Sequence, residues 1–428
     1  MATDDDEYIW DCWPKMPNGQ DFDGSDLLNL VRKGSSPFKD NWDVNKLLQE
    51  IEAHMHAKVV DIPHVSRGSN NMGLHMKLSN QREILVRLGR SDINMPKYDG
   101  FPFDSMIREL NFESATYTLL AGHPDIPVST LLYLRPPVKH ESGVDYDVGK
   151  SVQGRRLMVF DFFHGRSNVW YELLPGGKDD LVSQAARLRA SLFNYNPPKD
   201  FVATFLLQRM FAFMPSELPC PVEPTRDFWL TVFRCKIEAT IKNEGDMIGW
   251  ESDNNTVGPE ALKAKQSLLR FLPHMLPLEE NEEYLYRMVL EHGDFGIHNM
   301  SITTEADKNH VHIKSLYDWE TGCIWHAMLA DPEMALPVDL NVDENGKPTI
   351  TQVSEDETAE NRNKFMNHDK NYIEVLYQHA PDFERVTKAG KDARYLWFQL
   401  KRWRGDDPEE FFGELGAWAE RRMAEKGF

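Results

Sequence analysis

The chain contains little cysteine, and none of it follows the spacing of a metal or disulfide site. Only four of the 428 residues are cysteine, and they are scattered without a CxxC pair: Cys12, Cys220, Cys235 and Cys323. No helical HExxH pattern accompanies His292, His298 and His310. Disulfide scaffolds and structural zinc domains are therefore excluded by spacing, and a reducing compartment is expected.

An excess of positive charge and long apolar runs are also missing. The formal net charge is -20 at pH 7, which disfavours nucleic acid or an anionic membrane as a partner. The longest apolar stretch, residues 201–214, is too short to span a bilayer and contains Gln208 and Arg209. The start, Met-Ala-Thr-Asp-Asp-Asp-Glu, is acidic, unlike a secretory signal or a transit peptide. We therefore expect a cytoplasmic protein, whose acidity either suits a cationic ligand or serves solubility alone.

The chain does contain a change from strand-like to helix-like sequence near residue 164. Short β-like runs are predicted at residues 59–65, 73–78, 83–88, 128–133 and 156–163, with one helix at 103–121. Helical spacing dominates afterwards, including single helices at 357–377, 382–403 and 407–426, with a strand at 311–316. Strands followed by helices favour an α+β fold over alternating βαβ units. We predict an N-terminal arm and helix at 1–55, a β-rich lobe at 56–163 and a helical lobe at 164–428.

The most informative segment is residues 292–299, which read His-Gly-Asp-Phe-Gly-Ile-His-Asn. Asp-Trp-Glu follows downstream at residues 318–320, and each acidic site comes shortly after an apolar run. Phosphoryl transfer needs one carboxylate that orients a hydroxyl and accepts its proton. It also needs an amide oxygen and a second carboxylate that hold Mg²⁺ on the nucleotide phosphates. The pattern predicts Asp294 as the base, with Asn299 and Asp318 as Mg²⁺ ligands.

These motifs resemble those of aminoglycoside phosphotransferase and choline kinase-like enzymes. The spelling is most similar to the fungal-type members of that group, and the resemblance extends over roughly residues 55–335. It implies a protein-kinase-like bilobal fold, with a small antiparallel sheet and one helix in the N-lobe and a larger, mainly helical C-lobe. It further implies ATP and Mg²⁺ as cofactors and a brace-like, non-reacting role for His292.

The predicted small lobe contains two charged residues in apolar settings. Arg87 lies within the run Ile84-Leu85-Val86-Arg87-Leu88, and Glu113 lies on the apolar face of the following helix, between Leu110 and Tyr117. A buried charge requires a partner, so each residue explains the other as the strand–helix ion pair of a kinase. Most kinases have Lys in this position, whereas Arg occurs in the fungal-type relatives. A charge at a strand edge is the alternative for Arg87.

Two further segments are candidates for nucleotide binding. The loop at residues 66–71, with Gly68, Ser69 and Asn70, could cover phosphates through its N–H groups, but it lacks GxGxxG and an ordinary hairpin loop fits it as well. Gly68 and Gly73 lack the Lys-Ser/Thr of a Walker A motif. The resemblance implies a linker between the lobes at Asp161 to Phe163 that binds adenine through its backbone.

The phosphate acceptor is the least determined part of the prediction. A small hydroxylated molecule is expected, with an amine as one candidate, because acidic and aromatic side chains together suit a cation. The residues considered for its site are Glu320, Trp325, Trp397, Trp403, Asp406 and Asp407, although Trp397 fits a core position better. A non-catalytic, kinase-like nucleotide-binding protein is the main alternative. A protein kinase is disfavoured, because the only Asp-Phe-Gly lies inside the catalytic segment and no Ala-Pro-Glu follows.

Overall fold

The computed structural model divides the chain into two compact units. Unit 1 comprises Met1–Gly165 and Lys314–Glu320, and unit 2 comprises Arg166–Ile313 and Thr321–Phe428. The structure describes residues 13–39, 41–95, 98, 102–140, 151–207, 217–241, 254–278, 283–336, 338–343, 347–353, 359–403 and 408–428. No helix in these ranges is long and apolar enough to cross a membrane.

Unit 1 is built on an antiparallel five-stranded sheet. Its strands are β1 (Val59–Arg67), β2 (Asn71–Leu78), β3 (Glu83–Gly89), β4 (Leu131–Arg135) and β5 (Leu157–Asp161). They lie in the order β1-β2-β3-β5-β4, and the helices are α1 (Leu27–Arg32), α2 (Val44–Met55) and α3 (Phe103–Leu120). Helix α3 provides Glu113, and the central strand β3, which pairs with β2 and β5, provides Arg87.

The alternation of side chains gives this sheet two different faces. Leu74, Ile84 and Val86 point into one apolar core together with residues of the N-terminal arm, among them Trp13, Phe38 and Trp42. The opposite face of the central strands carries His75, Leu85 and Arg87, which are only partly buried. In register, Gly73 of β2 lies opposite Arg87, and Arg87 lies opposite Met158 of β5. The arm therefore closes one face and leaves the Arg87 face for other contacts.

Unit 2 is mainly helical. Its helices are α4 (Pro175–Asn194), α5 (Lys199–Phe205), α6 (Arg226–Thr240), α7 (Asn254–Met275), α8 (Glu283–Tyr286), α9 (Ala359–His379), α10 (Pro381–Ala389), α11 (Lys391–Arg402) and α12 (Pro408–Glu425). Short strand pairs accompany them: β6 (Met288–Glu291) with β9 (Cys323–His326), β7 (Met300–Thr304) with β8 (Val311–Leu316), and β10 (Val338–Val342) with β11 (Pro348–Val353). Strand β8 runs from unit 2 into the 314–320 segment of unit 1. The predicted fold class, an antiparallel sheet followed by a mainly helical part, is confirmed.

Two sequence predictions in the helical part are wrong in detail. The single helix predicted at 382–403 is two helices, because Gly390 ends α10 and begins α11. A Cβ on Gly390 would lie 2.6 Å from Cβ of Met328, so the chain passes too close to its neighbour for any other residue there. The short strands β6, β7 and β9 were not predicted, because β6 and β9 are four buried residues each and β7 begins with three, so none of them alternates.

Candidate active site

The segment 292–299 is positioned in unit 2 by the strand pair β6–β9. Leu290 pairs with Ile324 and Glu291 with Cys323, so the chain leaves β6 beside the residue that precedes β9. Gly293 has a φ of +81°, and a Cβ there would lie 2.3 Å from the carbonyl oxygen of Thr321. The turn into the segment thus requires glycine, both for its left-handed backbone and for this close approach.

Asp294 is held by the side chain of Asn299. The buried Asn299 donates from Nδ2 to the carbonyl oxygen of Asp294 and to its carboxylate Oδ2, both at 2.9 Å. Nε2 of His298 lies 3.0 Å from the same Oδ2. The carboxylate is nevertheless 51% exposed, so it is fixed in direction while remaining reachable. This arrangement suits a group that must orient a hydroxyl and accept its proton.

Beneath this segment lies a buried ion pair. Nη2 of Arg189 on α4 donates to both carboxylate oxygens of Glu291, at 2.8 and 2.6 Å, and its Nε donates to the carbonyl oxygen of Asp331 at 3.0 Å. Burial raises the pKa of Glu291, and the adjacent guanidinium of Arg189 opposes that rise. Arg394 of α11 also donates to the Asp331 carboxylate, so two arginines anchor the chain at Asp331, just before Pro332.

Glu333, two residues after Asp331, has an unusual backbone conformation and an enclosed carboxyl oxygen. Its backbone has a φ of +40°, which is rare for a residue with a side chain. The residue is partly exposed, but its carboxyl oxygen Oε2 is enclosed and has no hydrogen-bond partner among the described residues. Burial, together with the nearby carboxylate of Glu291, raises the pKa of Glu333 to about 8. The side chain is therefore protonated at neutral pH, which lowers the cost of enclosing it.

In unit 1 the structure brings Arg87, Glu113 and Asp318 together. Nη1 of Arg87 lies 3.1 Å from Oε1 of Glu113, and Nη2 lies 2.5 Å from Oδ1 of Asp318. Burial alone would lower the pKa of Arg87, but the two carboxylates outweigh it and hold that pKa well above its usual value. Burial raises the pKa of Glu113, against the attraction of Arg87, because Glu113 is wholly enclosed. Arg87 therefore stays charged and links an interior acid to a partly exposed one.

Asp318 itself is fixed by its backbone. It has a φ of +71°, and its N–H donates to the hydroxyl of Tyr117 on α3 at 2.9 Å. The chain just before it is tied to the segment that precedes β4, since the N–H of Leu316 donates to the carbonyl of Pro127 at 2.8 Å. The left-handed residue is thus held by contacts that outweigh its local strain.

The loop between β1 and β2 is closed by two arginines. Nη1 of Arg90 donates to the carbonyl oxygens of Gly68 and Ser69, both at 3.2 Å, and Arg156 donates from Nε to Oδ1 of Asn71 at 3.0 Å. In a trans peptide the N–H points opposite to the C=O, so the N–H groups of Ser69 and Asn70 point away from Arg90. This orientation leaves both the phosphate-binding and the plain hairpin interpretation open.

Two of the three residues of the predicted linker, Asp161 and Phe162, use their N–H groups in hydrogen bonds to neighbouring segments of unit 1. The N–H of Asp161 donates to the carbonyl of Thr130 at 3.0 Å, and that of Phe162 donates to Glu83 at 3.1 Å. The Asp161 carboxylate pairs with Arg82 at 2.6 Å. The ring of Phe162 stacks on His75, with ring centroids 3.7 Å apart. Of the three residues predicted here, Phe163 is the one whose N–H is not part of these bonds.

The described residues that were considered for the acceptor belong to both units. Trp397 is buried and meets Phe233 and Trp325 edge to face, at 5.3 and 5.7 Å between ring centroids, as expected of core residues. Trp403 packs on Phe412 at 4.7 Å. Glu320 lies in unit 1, whereas Asp406 and Asp407 lie outside the described residues. Within the described ranges no group of three or more His, Cys, Asp and Glu side chains could hold a metal ion.

Sequence reasoning missed several members of these clusters. His298 carried a signal, since it is four residues from Asp294 within the motif. For Arg189 and Arg156 the sequence signal was weak: each is a charged residue among apolar neighbours. Glu333 carried none, because its enclosure and left-handed backbone depend on contacts from distant segments.

Comparison with known proteins finds likeness in structure alone. Neither protein-family models nor curated proteins give a match to this chain. An ADP-bound aminoglycoside phosphotransferase, APH(2'')-Ib, is similar over 87% of this chain and 97% of its own, with 10% identity and a TM-score of 0.42. The macrolide 2'-phosphotransferase MphH from Brachybacterium faecium is similar over 88% and 97%, with 11% identity and a TM-score of 0.39. Amicoumacin kinase hAmiN, in complex with AMP-PNP and Ca²⁺, is similar over 90% and 95%, with 12% identity and a TM-score of 0.35. These chains are phosphotransferases and small-molecule kinases, but likeness at this level carries no argument about the activity of this one.

Proposed function

We propose that the chain is an ATP-dependent phosphotransferase that moves the γ-phosphoryl group of ATP to a hydroxyl of a small molecule. The observation that carries this proposal is the position of Arg87, which contacts both Glu113 and Asp318. A cation on the third strand, paired with an acid on the next helix and placed beside a metal-binding carboxylate, is the arrangement that kinases require.

Asp294 is the proposed base. Its carboxylate accepts the proton of the acceptor hydroxyl as that oxygen bonds to the γ-phosphorus. The bond from the γ-phosphorus to the bridging oxygen of ADP breaks in the same step, and ADP leaves with that oxygen. Asn299 keeps the carboxylate in one direction through the two bonds from its Nδ2.

Asn299 of unit 2 and Asp318 of unit 1 are the proposed ligands of Mg²⁺. Asn299 uses its amide nitrogen on Asp294, so its oxygen is the atom left for a cation, and the carboxylate of Asp318 is 29% exposed. Both are hard oxygen donors, the kind that Mg²⁺ takes alongside nucleotide phosphates and water. When bound there, Mg²⁺ would neutralise charge on the phosphates.

The nucleotide is proposed to bind the lobe at 56–163. The N–H groups of Ser69 and Asn70, which point away from Arg90, are the proposed phosphate donors, and the N–H of Phe163 is the proposed adenine donor. The lobe at 164–428 would hold the acceptor. The proposed acceptor is a small hydroxylated molecule, with an amine as one candidate, because the net charge of -20 suits a cationic ligand.

Thermal unfolding with ATP tests the nucleotide site. A nucleotide at about 100 times its Kd stabilises a fold by about 2.7 kcal/mol, which a melting curve detects. We expect a Mg²⁺-dependent rise in Tm for the wild type that Asp318→Ala abolishes. No shift with ATP or GTP would contradict the proposal.

Phosphoryl transfer tests the base. We expect Asp294→Asn to lower transfer from ATP to water and to a panel of amino alcohols by about 10²- to 10⁴-fold, with ATP affinity retained. Asp307→Asn, at an exposed aspartate of the same unit, is the matched control and should leave transfer unchanged. Wild-type protein that binds ATP but transfers nothing to any acceptor would support the non-catalytic alternative.

A further inference from the structure

A second arginine of unit 1 lies beside the Arg87 cluster. Arg156 directly precedes β5, and its side chain is 10% exposed. Its Nη2 lies 2.6 Å from Oε2 of Glu320, and its Nε lies 3.0 Å from Oδ1 of Asn71. Nδ2 of Asn70 donates to the other carboxylate oxygen of Glu320 at 2.5 Å. Glu320 thus joins the loop between β1 and β2 to Arg156.

The sheet register places Arg156 on the face that carries Arg87. Met158 lies opposite Arg87, and side chains two residues apart on a strand share a face. The N–H of Gly89 donates to the carbonyl of Arg156 at 2.8 Å, so Arg156 lies at the loop end of the sheet. A Cβ on Gly89 would lie 3.0 Å from Cγ of Arg156, so glycine leaves room for this side chain.

The two arginines differ in the acidic side chains that contact them. Arg87 is held between two acids, Glu113 and Asp318, whereas the ion pair of Arg156 is with Glu320. Arg87 and Arg156 give +2 and the three acids give -3, so the cluster is -1 in sum, a poor receptor for a polyphosphate. If a phosphate replaced Glu320 on Arg156, the Glu320 charge would no longer repel the nucleotide at that position. The replacement is geometrically possible, because a guanidinium binds phosphate and carboxylate in the same geometry.

We propose that Arg156 is a phosphate-binding residue of the nucleotide site and that Glu320 occupies it when no nucleotide is bound. The phosphates of a nucleoside di- or triphosphate then replace the Glu320 carboxylate on the guanidinium. The same exchange frees the side chain of Asn70 from Glu320. The inference rests on the proposed function, because it assigns the nucleotide phosphates to this unit.

Binding without Mg²⁺ separates this role from any role of Glu320 toward a metal. We would measure the affinities of adenosine, ADP and ATP in EDTA for the wild type, Arg156→Met, Glu320→Gln and the double variant. Arg156→Met should weaken ADP and ATP about tenfold or more and leave adenosine unchanged. Glu320→Gln should tighten ADP and ATP several-fold, because it removes the competing charge. In the double variant that tightening should disappear, since both changes act on one interaction. Arg166→Met, at an exposed arginine paired with Glu172, is the matched control and should change nothing.

Each contrary result has its own meaning. If Arg156→Met weakened the binding of adenosine and of ADP equally, Arg156 would only support the loop at residues 66–71, and the inference would be wrong. Weaker ADP binding by Glu320→Gln in EDTA would also overturn it, and this arm needs no change at Arg156, should Arg156→Met fail to fold. Wild-type protein that binds neither ADP nor ATP, with or without Mg²⁺, would instead overturn the proposed function. Normal wild-type binding with an unaltered Arg156→Met would refute only the role of Arg156.

Discussion

The two units each contain a buried arginine between acidic groups, but the two clusters are closed to different degrees. In unit 2, Arg189 and Glu291 are 1% and 7% exposed, and Arg189 also binds the main chain at Asp331. In unit 1, Arg87 is 12% exposed, and of its two acids Glu113 is enclosed while Asp318 is 29% exposed. Arg189 and its partner Glu291 are almost completely buried, whereas Arg87 and its partner Asp318 remain partly exposed.

This difference separates a structural ion pair from a candidate functional one. A closed pair offers a ligand no access, so it can only hold β6, α4 and the turn at Asp331 together. An open pair leaves a carboxylate partly exposed, where it can meet a cation, beside a guanidinium that can meet a phosphate. Burial of charge is therefore common to both clusters, and the open side is what marks a site.

The largest effect on stability is expected at the closed cluster. Arg189→Met should lower the free energy of unfolding by about 3–5 kcal/mol, because it leaves Glu291 enclosed without a cation. Urea unfolding followed by circular dichroism measures this loss. The double variant Arg189→Met/Glu291→Met should recover much of it, and a loss below about 1 kcal/mol for the single variant would show that the pair is not closed.

The same substitution at the open cluster should act mainly on activity. Arg87→Met should lower ATP turnover on the order of 10²-fold, through loss of a positioned cation near the phosphates. Its cost in stability should be smaller than at Arg189, because Asp318 is 29% exposed and can be hydrated, whereas Glu291 is only 7% exposed. Arg87→Lys, which keeps the charge but not the fork, should fall between wild type and Arg87→Met. A stability loss equal to that of Arg189→Met would erase the contrast between the clusters.

The smallest effect concerns pH and the edge of the closed cluster. The pKa of Glu333 is about 8 in the folded state, against an ordinary value of 4.5. The folded state therefore binds the extra proton in this window, and stability is full below pH 4.5 and falls as the pH rises to 8. Glu333→Gln should remove that fall, so its Tm should exceed that of the wild type more at pH 8 than at pH 5. Glu384→Gln, at an exposed glutamate, is the control, and a pH-independent difference for Glu333→Gln would contradict the expectation.

Much of unit 1 was predictable because the sequence of each element contains the pattern that identifies it. Strands β2 and β3 alternate buried and less buried side chains and are divided by a polar turn, and α3 repeats its apolar residues at helical spacing. The short strands of unit 2 were not predictable, since Met288–Glu291 and Cys323–His326 are buried throughout and differ little from a helix interior. The break at Gly390 depends on Met328, which is distant in sequence.

The sequence by itself indicated which residues are candidates for reactive groups and which charges needed partners. Asp294, Asn299 and Asp318 stand in a recognisable order, and Arg87 and Glu113 were each out of place without a counter-charge. Only the tertiary structure decided that Arg87 also reaches Asp318, that Glu320 holds Arg156, and that Glu333 is enclosed. Hydrophobic periodicity is written into neighbouring residues, whereas a charge network joins segments far apart in the chain, so its partners exist only once the core has brought them together.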